Sequence, residues 1–416
     1  MSKTVIIGGG AAGMLASIIA ASGGHETVLY EKNEKLGKKL YITGKGRCNI
    51  TNACDIEELF PNILSNRKFM YSSIYGFSNH DMIDFLERIG LHTKTERGAR
   101  VFPESDKSSD VISALQREMK RLGVQINLNT EVLDIAGDNR ITGVRIRDFG
   151  GREHTVQTDN VILATGGLSY PGTGSTGDGY RLAKTLGHNV TKLLPGLVPF
   201  NIKEEWVRLL QGLSLKNVKG TFSCGGRIIY EEFGEMLFTH FGISGPIVLS
   251  ASSFVKDEMF GRGLDFVIDL KPTLSEEQLD ARILRETEEN VNKEWKNVIE
   301  HFLPKKMVSV MLDRIGIPPE KKMNSITREE RKRIVRELKN VRMSVAGFRG
   351  YSEAIITRGG IDIKEVNPST MESKLVKGLY FAGEILDVDA VTGGFNLQIA
   401  WSTAHAAATS INNQHD

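Results

Sequence analysis

The chain has 416 residues, 40% apolar and 25% charged, with 53 basic against 51 acidic side chains and a formal net charge of +2. This ordinary globular composition suffices for two or three domains and sets up no global field that demands an anionic partner. Three cysteines (Cys48, Cys54, Cys224) without a Cys-x-x-Cys pair exclude a disulfide framework, a zinc knuckle and a thioredoxin-type dithiol, and no metal site is expected.

The N-terminal stretch "KTVIIGGGAAG" predicts a short buried strand, Thr4–Ile7, running into Gly8-x-Gly10-x-x-Gly13 and a helix to about Ser22. A second strand, "TVLYE", ends in Glu31, eighteen residues after Gly13. Each part has a physical task in binding a dinucleotide. Gly8 makes the tight turn, Gly10 admits a pyrophosphate to the backbone, and Gly13 lets helix pack on strand. The helix N-terminus faces the phosphates, and Glu31 accepts hydrogen bonds from ribose hydroxyls. The same glycines interrupt the apolar run too early for a secretion signal. No segment reaches ~18 uninterrupted apolar residues, so no membrane span is predicted and a cytoplasmic protein is expected. This signature alone does not separate FAD from NAD.

"TGKGRCNITN" (43–52) follows. It lacks the phosphate-loop pattern and any dithiol spacing. Placed soon after Glu31, it is expected to lay backbone amides and the Arg47 and Asn49 side chains along the cofactor. A redox role for Cys48 stays open.

Next, "VILATGG" (161–167) reads as a strand ending in Thr165-Gly166-Gly167. "GTGSTG" (172–177) repeats the glycine pattern but follows Pro171 rather than a strand. It is read as no second nucleotide site, with Asp178 as the predicted N-cap of a short helix. Residues 195–270 hold short β-like runs ("GTFSC", "RIIYE", "LDFVIDL"). Residues 275–342 read as helical, with capping boxes at Ser275–Gln278 and Thr327–Glu330 and a stripe of Leu279, Ile283, Val291, Trp295, Val298 and Phe302. Within it, residues 305–342 carry 12 basic and 5 acidic side chains, a local net of +7. No aromatic residues interleave there for base stacking.

"GLYFAGE" (378–384) is a further apolar strand ending in Gly383-Glu384, before "ILDVDAVTGGFNLQIAWSTAHAAA" and its terminal helix. A cofactor stretched across the sheet needs contacts at several strand ends, and these three glycine turns supply them, which favours FAD. Glu384 suits the ribityl or pyrophosphate side, and the amides of Asn396, Leu397 and Gln398 suit the pyrimidine edge of a flavin.

Gly8–Gly13 with Glu31, "TGKGRCNITN", "ATGGLSYPGTGSTGDGY", "FTHFGISGP", "ITRGGI" and "GLYFAGEILDVDAVTGGFNLQIAWSTA" together resemble the YhiN/BaiN-like family of FAD-dependent oxidoreductases. That family lies within the glutathione-reductase-type flavoproteins, and "TGDG" is similar to the fumarate reductase branch. The resemblance spans essentially the whole chain. It implies FAD contacts at Gly8, Gly10, Ala11, Ala12 and Gly13, at Glu31, Lys32 and Lys39, and in the Gly44, Gly46, Arg47, Cys48, Asn49 loop. Val132, Thr165, Gly166, Gly167, Gly383, Glu384, Asn396, Leu397 and Gln398 complete the implied set. One branch of the family is linked to reduction of enone-type bile-acid intermediates.

The fold expected is α/β: a Rossmann-like FAD-binding domain in two segments (1–193 and 344–416). Between them lie an inserted β-rich, barrel-like subdomain (194–274) and a helical subdomain (275–343). The expected activity is flavin hydride or electron transfer to a small organic substrate, with NAD(P)H as transient donor. The substrate is expected where the FAD domain meets the insertion. His240 is then a candidate proton donor, and Arg47, Arg349 and Arg358 are candidate anchors for a substrate oxygen. A flavin-dependent RNA-modifying enzyme is the alternative, although nucleic acid is not favoured as a partner. A non-catalytic flavin-binding sensor or scaffold is the other.

Overall fold

The computed structural model describes residues 2–413. The chain forms two compact units, one of residues 1–196 with 351–416 and one of residues 197–350.

The first unit is built on a five-stranded parallel sheet ordered Leu379–Phe381, Asn160–Leu163, Lys3–Ile7, Glu26–Tyr30, Gln125–Asn127. Its central strands read as continuous apolar runs because both faces of the sheet are buried. Val5, Ile6, Val161, Ile162, Leu163, Tyr380 and Phe381 are all fully buried. The helix Ala11–Ser22 follows the first strand and packs against the C-terminal helix Phe395–Asn413. That last helix is buried over most of its circumference, so its polar groups find partners inside. Trp401 Nε1 donates to the Ile50 carbonyl (3.0 Å) and Ser402 Oγ to that of Phe77 (2.7 Å). Three small antiparallel sheets complete this unit, Thr51–Asn52/Arg100–Pro103/Thr93–Glu96, Glu131–Ala136/Gly143–Arg147/Glu153–Gln157 and Leu194–Gly196/Ile356–Arg358.

The second unit is a closed six-stranded barrel with helices. Its strand order is Phe200–Ile202, Gly242–Ser244, Arg227–Phe238, Ser214–Cys224, Leu264–Asp269, Val341–Phe348. The strand Val341–Phe348 lies beyond the helical segment in sequence and pairs with both Phe200–Ile202 and Leu264–Asp269, closing the barrel. Barrel and helices share one core that runs from Phe200, Phe222 and Phe266 to Trp295 and Leu338. Both predicted capping boxes form, at Ser275 with Gln278 and at Thr327 with Glu330. The predicted helical stripe is corrected at one point. Leu279, Ile283, Trp295, Val298 and Phe302 are buried, but Val291 is 43% exposed. The helix Glu276–Glu289 stops at Asn290, and a new turn begins only at Trp295.

Among the described residues no helix is long and apolar enough to cross a membrane. Nor does any group of three or more His, Cys, Asp or Glu side chains there suit a metal ion.

Candidate cofactor site

One cleft in the first unit runs along the carboxyl ends of the parallel strands. It is lined by Gly8, Gly10, Ala11 and Ala12, by Glu31 and Lys32, and by Lys39 and Val132. Thr165, Gly166, Gly383, Glu384, Asn396 and Leu397 line it too. Sequence positions almost 400 residues apart therefore share one wall. Gly174 and Ser175, from the second glycine repeat, line the same cleft. Gly13, Gly44, Gly46, Arg47, Cys48, Asn49, Gly167 and Gln398 are not among its lining residues.

At one end the geometry suits a pyrophosphate. Gly8 has φ +106°, and a Cβ there would lie 2.5 Å from the Ala164 carbonyl oxygen. A Cβ on Gly10 would meet nothing within 4 Å, so this position faces open space. The helix Ala11–Ser22 has no side-chain cap and no acid in its first turn, which leaves its first amides free for an anion. Glu31 stands beside them, 8% exposed. It accepts from Gly9 N (2.7 Å), Asn33 N (2.9 Å) and Asn33 Nδ2 (2.6 Å), and this carboxylate keeps lone pairs for a ribose hydroxyl. The residues present fit the dinucleotide half of FAD.

Farther along, Lys39 and Glu384 form an ion pair, joined by Ser169 and Thr357. Lys39 Nζ donates to Ser169 Oγ (2.6 Å), and Ser169 Oγ donates to Glu384 Oε1 (2.8 Å). Thr357 N donates to Glu384 Oε1 (2.9 Å), while Thr357 Oγ1 accepts from Leu168 N and Ser169 N. Four separate segments of the unit are thus tied together. Lys32 is paired with Asp178 and with Thr176 Oγ1 (2.5 Å). The expected role of Asp178 is corrected here. Gly177 is the N-cap, and Asp178 is the first helical residue with its carboxylate turned to Lys32.

At the far end lies the N-terminus of the helix Phe395–Asn413, again with no acid in its first turn. The Asn396 side chain clamps the preceding loop, accepting from Ala390 N and donating to the Ala390 and Val391 carbonyls. Gln398 is a strut in the core, 1% exposed and bonded to Thr51, Phe77 and Ser402. Thr165 Oγ1 is buried without a partner beside this cleft, a polar atom available to a ligand.

The "TGKGRCN" loop meets the cleft through Thr43. Arg47 is held by Glu96 and Asp106 and lies 4.2 Å from the Phe102 ring centre. Those two carboxylates, Glu96 first, hold its pKa above the usual guanidinium value. Cys48 is fully buried, and burial pushes its thiol up to about 12, so it is a poor nucleophile near neutrality. His240 and Arg349 belong to the second unit. His240 is exposed there and Arg349 stacks on Phe241 (4.3 Å).

Thr357, Ser169, Asn33 and Thr130 were missed by sequence reasoning. "ITRGGI" stood out as a motif, but only Arg358 in it was singled out. The structure lines the cleft with Ile355, Ile356 and Thr357 instead.

Arg358 acts through its charge on a different group, the carboxyl of Asp389, which is 2% exposed. Burial raises the Asp389 pKa against the pull of Ser65 and Arg358. Nearby Asp387 is also raised, mainly by burial and in part by Asp389. A carboxyl whose folded pKa is raised stabilises the fold below the unfolded value, near 3.9, and loses that contribution as pH climbs through the folded pKa. Asp389→Asn is therefore expected to raise the urea midpoint relative to wild type at pH 8 and to give up that advantage near pH 4. An equal difference at both pH values would refute a protonation-linked penalty.

The family model described as the HI0933-like protein Rossmann domain matches residues 2–410. The chain is 33% identical over 407 residues to a ribosomal RNA dihydrouridine synthase of Escherichia coli K12, covering 98% of this chain and 97% of that protein. It is 30% identical over 412 residues to a 3-dehydro-bile acid delta(4,6)-reductase of Clostridium scindens, covering 98% of each. Among solved structures, the 3-ketosteroid delta1-dehydrogenase of Sterolibacterium denitrificans aligns with a TM-score of 0.56 at 12% identity over 99% of both chains, a likeness of fold. The chain belongs to the HI0933-like Rossmann-domain family and is an FAD-dependent oxidoreductase.

Proposed function

We propose that this enzyme reduces a carbon–carbon double bond conjugated to a carbonyl, and that its substrate is a uracil base in ribosomal RNA. The observation that carries the reading is the full-length similarity, at about one third identity, to a protein named for making dihydrouridine in ribosomal RNA. The bile-acid reductase, equally full-length, is named for the same kind of bond in a different substrate. Both names describe hydrogen added across an alkene that a carbonyl polarises. This ranks RNA above the free small molecule that the sequence alone favours. A small cyclic enone is the second reading, supported by that relative.

When bound, FAD supplies two-electron hydride transfer, with NAD(P)H as the transient donor and water as the source of the balancing proton. The chain's own residues hold and orient it. The amides of Gly10–Ala12 take the pyrophosphate, Glu31 takes the ribose, and Lys39 with Glu384 braces the middle of the cleft. The amides at the start of the helix Phe395–Asn413 suit the electron-rich edge of the ring system.

The test is anaerobic. Enzyme reduced by NADPH or NADH is mixed with an unmodified ribosomal RNA transcript or with a cyclic steroidal enone. The expected result is flavin reoxidation by the transcript, with a uridine gaining two hydrogens by mass spectrometry. Reoxidation by the enone alone would replace the RNA reading with the small-molecule one. Reoxidation by neither would sink the shared chemistry.

A further inference from the structure

The helix Arg328–Lys339 in the second unit carries a surplus of positive charge that its own unit does not neutralise. One side is core: Ile334, Val335 and Leu338 are buried. Its flanking charges are spent inside the unit. Glu330 pairs with Lys321, Arg331 with Asp280, Glu337 with Arg314, and Lys339 with Asp269. Arg328, Lys332, Arg333 and Arg336 are all exposed, and none has a hydrogen bond or ion pair among the described residues. The only exposed acid on this helix is Glu329, in its first turn.

The spacing makes these four cations a row. Arg328, Lys332 and Arg336 recur every four residues, hence roughly 6 Å apart along the axis, with Arg333 beside them. Like charges at this spacing repel one another, and Arg328 also sits against the positive end of the helix dipole. Local stability would favour acids or glutamines here. The pattern is explained by an anionic partner that the row meets.

We propose that this face docks the phosphate backbone of RNA, an assignment that rests on the RNA reading of the substrate given above. The row spans roughly 12 Å, enough to meet several successive phosphates of one strand. The exposed face holds no apolar side chain to insert into a bilayer, unlike a helix that lies on a membrane. It holds no aromatic residue either, so it contributes affinity and orientation without base selection.

The experiment compares FAD-loaded full-length wild type with Arg328→Gln/Lys332→Gln/Arg333→Gln/Arg336→Gln, glutamine being a good helix former. Thr327 and the buried face are untouched, and bound flavin and thermal midpoint report folding. A charge control, Arg117→Gln/Lys120→Gln, removes two exposed cations from the helix Ser108–Arg121. Binding to a fluorescent ribosomal RNA transcript is followed by anisotropy across salt concentrations. The quadruple variant should bind about tenfold or more weakly at moderate salt, with the log–log salt slope smaller by about 2 to 3. The loss should be the same for unrelated RNA sequences, and the control should behave as wild type. Wild-type binding with an unchanged slope in the quadruple variant would overturn the docking face and leave the RNA substrate standing. No retention of RNA by wild type would remove the RNA reading itself. Loss of binding to phosphatidylglycerol vesicles with RNA binding intact would overturn the face by reassigning it to a membrane.

Discussion

Gly13→Val is expected to leave no folded, yellow protein. A Cβ built on Gly13 lies 1.8 Å from the Gly8 carbonyl oxygen and 3.0 Å from its carbon. Both are backbone atoms of the turn that ends the strand Lys3–Ile7, so no side chain can swing away to make room. The strand itself is clamped on both sides by parallel neighbours. Ordinary overpacking costs about 1–3 kcal/mol, and here the helix must leave the sheet. Valine should remove much of a total stability of about 5–15 kcal/mol. Gly10→Ala is the contrast, since its Cβ meets nothing within 4 Å. The apo-protein should unfold at the wild-type urea midpoint, while FAD binds more weakly because the methyl group stands in the cleft. Soluble, flavin-saturated Gly13→Val would show that the helix has slack the structure does not reveal. A lowered apo midpoint in Gly10→Ala would mean that this glycine serves the fold.

The two glycines show why part of this site is legible in sequence. Turn, close approach, helix and terminal acid lie within thirty residues, and each needs a distinctive residue type. Gly8, Gly10 and Glu31 therefore declare themselves. Thr357 does not. A lone threonine in a three-residue strand has no spacing signal, and its value comes from Ser169 and Glu384, which only the fold brings near. Arg47 illustrates the converse. A cation among glycines reads as ligand-facing, but Glu96 and Asp106, 49 and 59 residues onward, hold it. The barrel was legible as short β runs. Its closure was not, because Val341–Phe348 follows directly on a strongly helical, charged segment and pairs with strands 73 to 148 residues earlier.

The Lys39–Glu384 pair carries the second large effect, because Glu384 is bound to three different segments at once. Both side chains are about one fifth exposed, so the pair is neither a surface bridge nor a fully dry one. Removing one partner of a buried pair costs about 3–5 kcal/mol, and partial solvation scales this to about 1–3 here. Glu384→Ala also strips the acceptor from Thr357 N and Ser169 Oγ, so it should lower the apo midpoint and release FAD. Glu384→Gln keeps an amide oxygen for those two donors but sets an amide NH2, a donor, against the Lys39 ammonium in place of the accepting oxygen. It should keep more of the apo stability than Glu384→Ala while still weakening FAD. Lys39→Met alone leaves the carboxylate without its cation, and the double change with Glu384→Gln should recover part of the loss. A coupling of about 0.5–3 kcal/mol is expected in that cycle. Urea unfolding of the apo-proteins and fluorescence titration with FAD separate brace from ligand contact. Additive single and double changes, or FAD affinity untouched by Glu384→Ala, would break the claim that this pair holds the cleft in its binding shape.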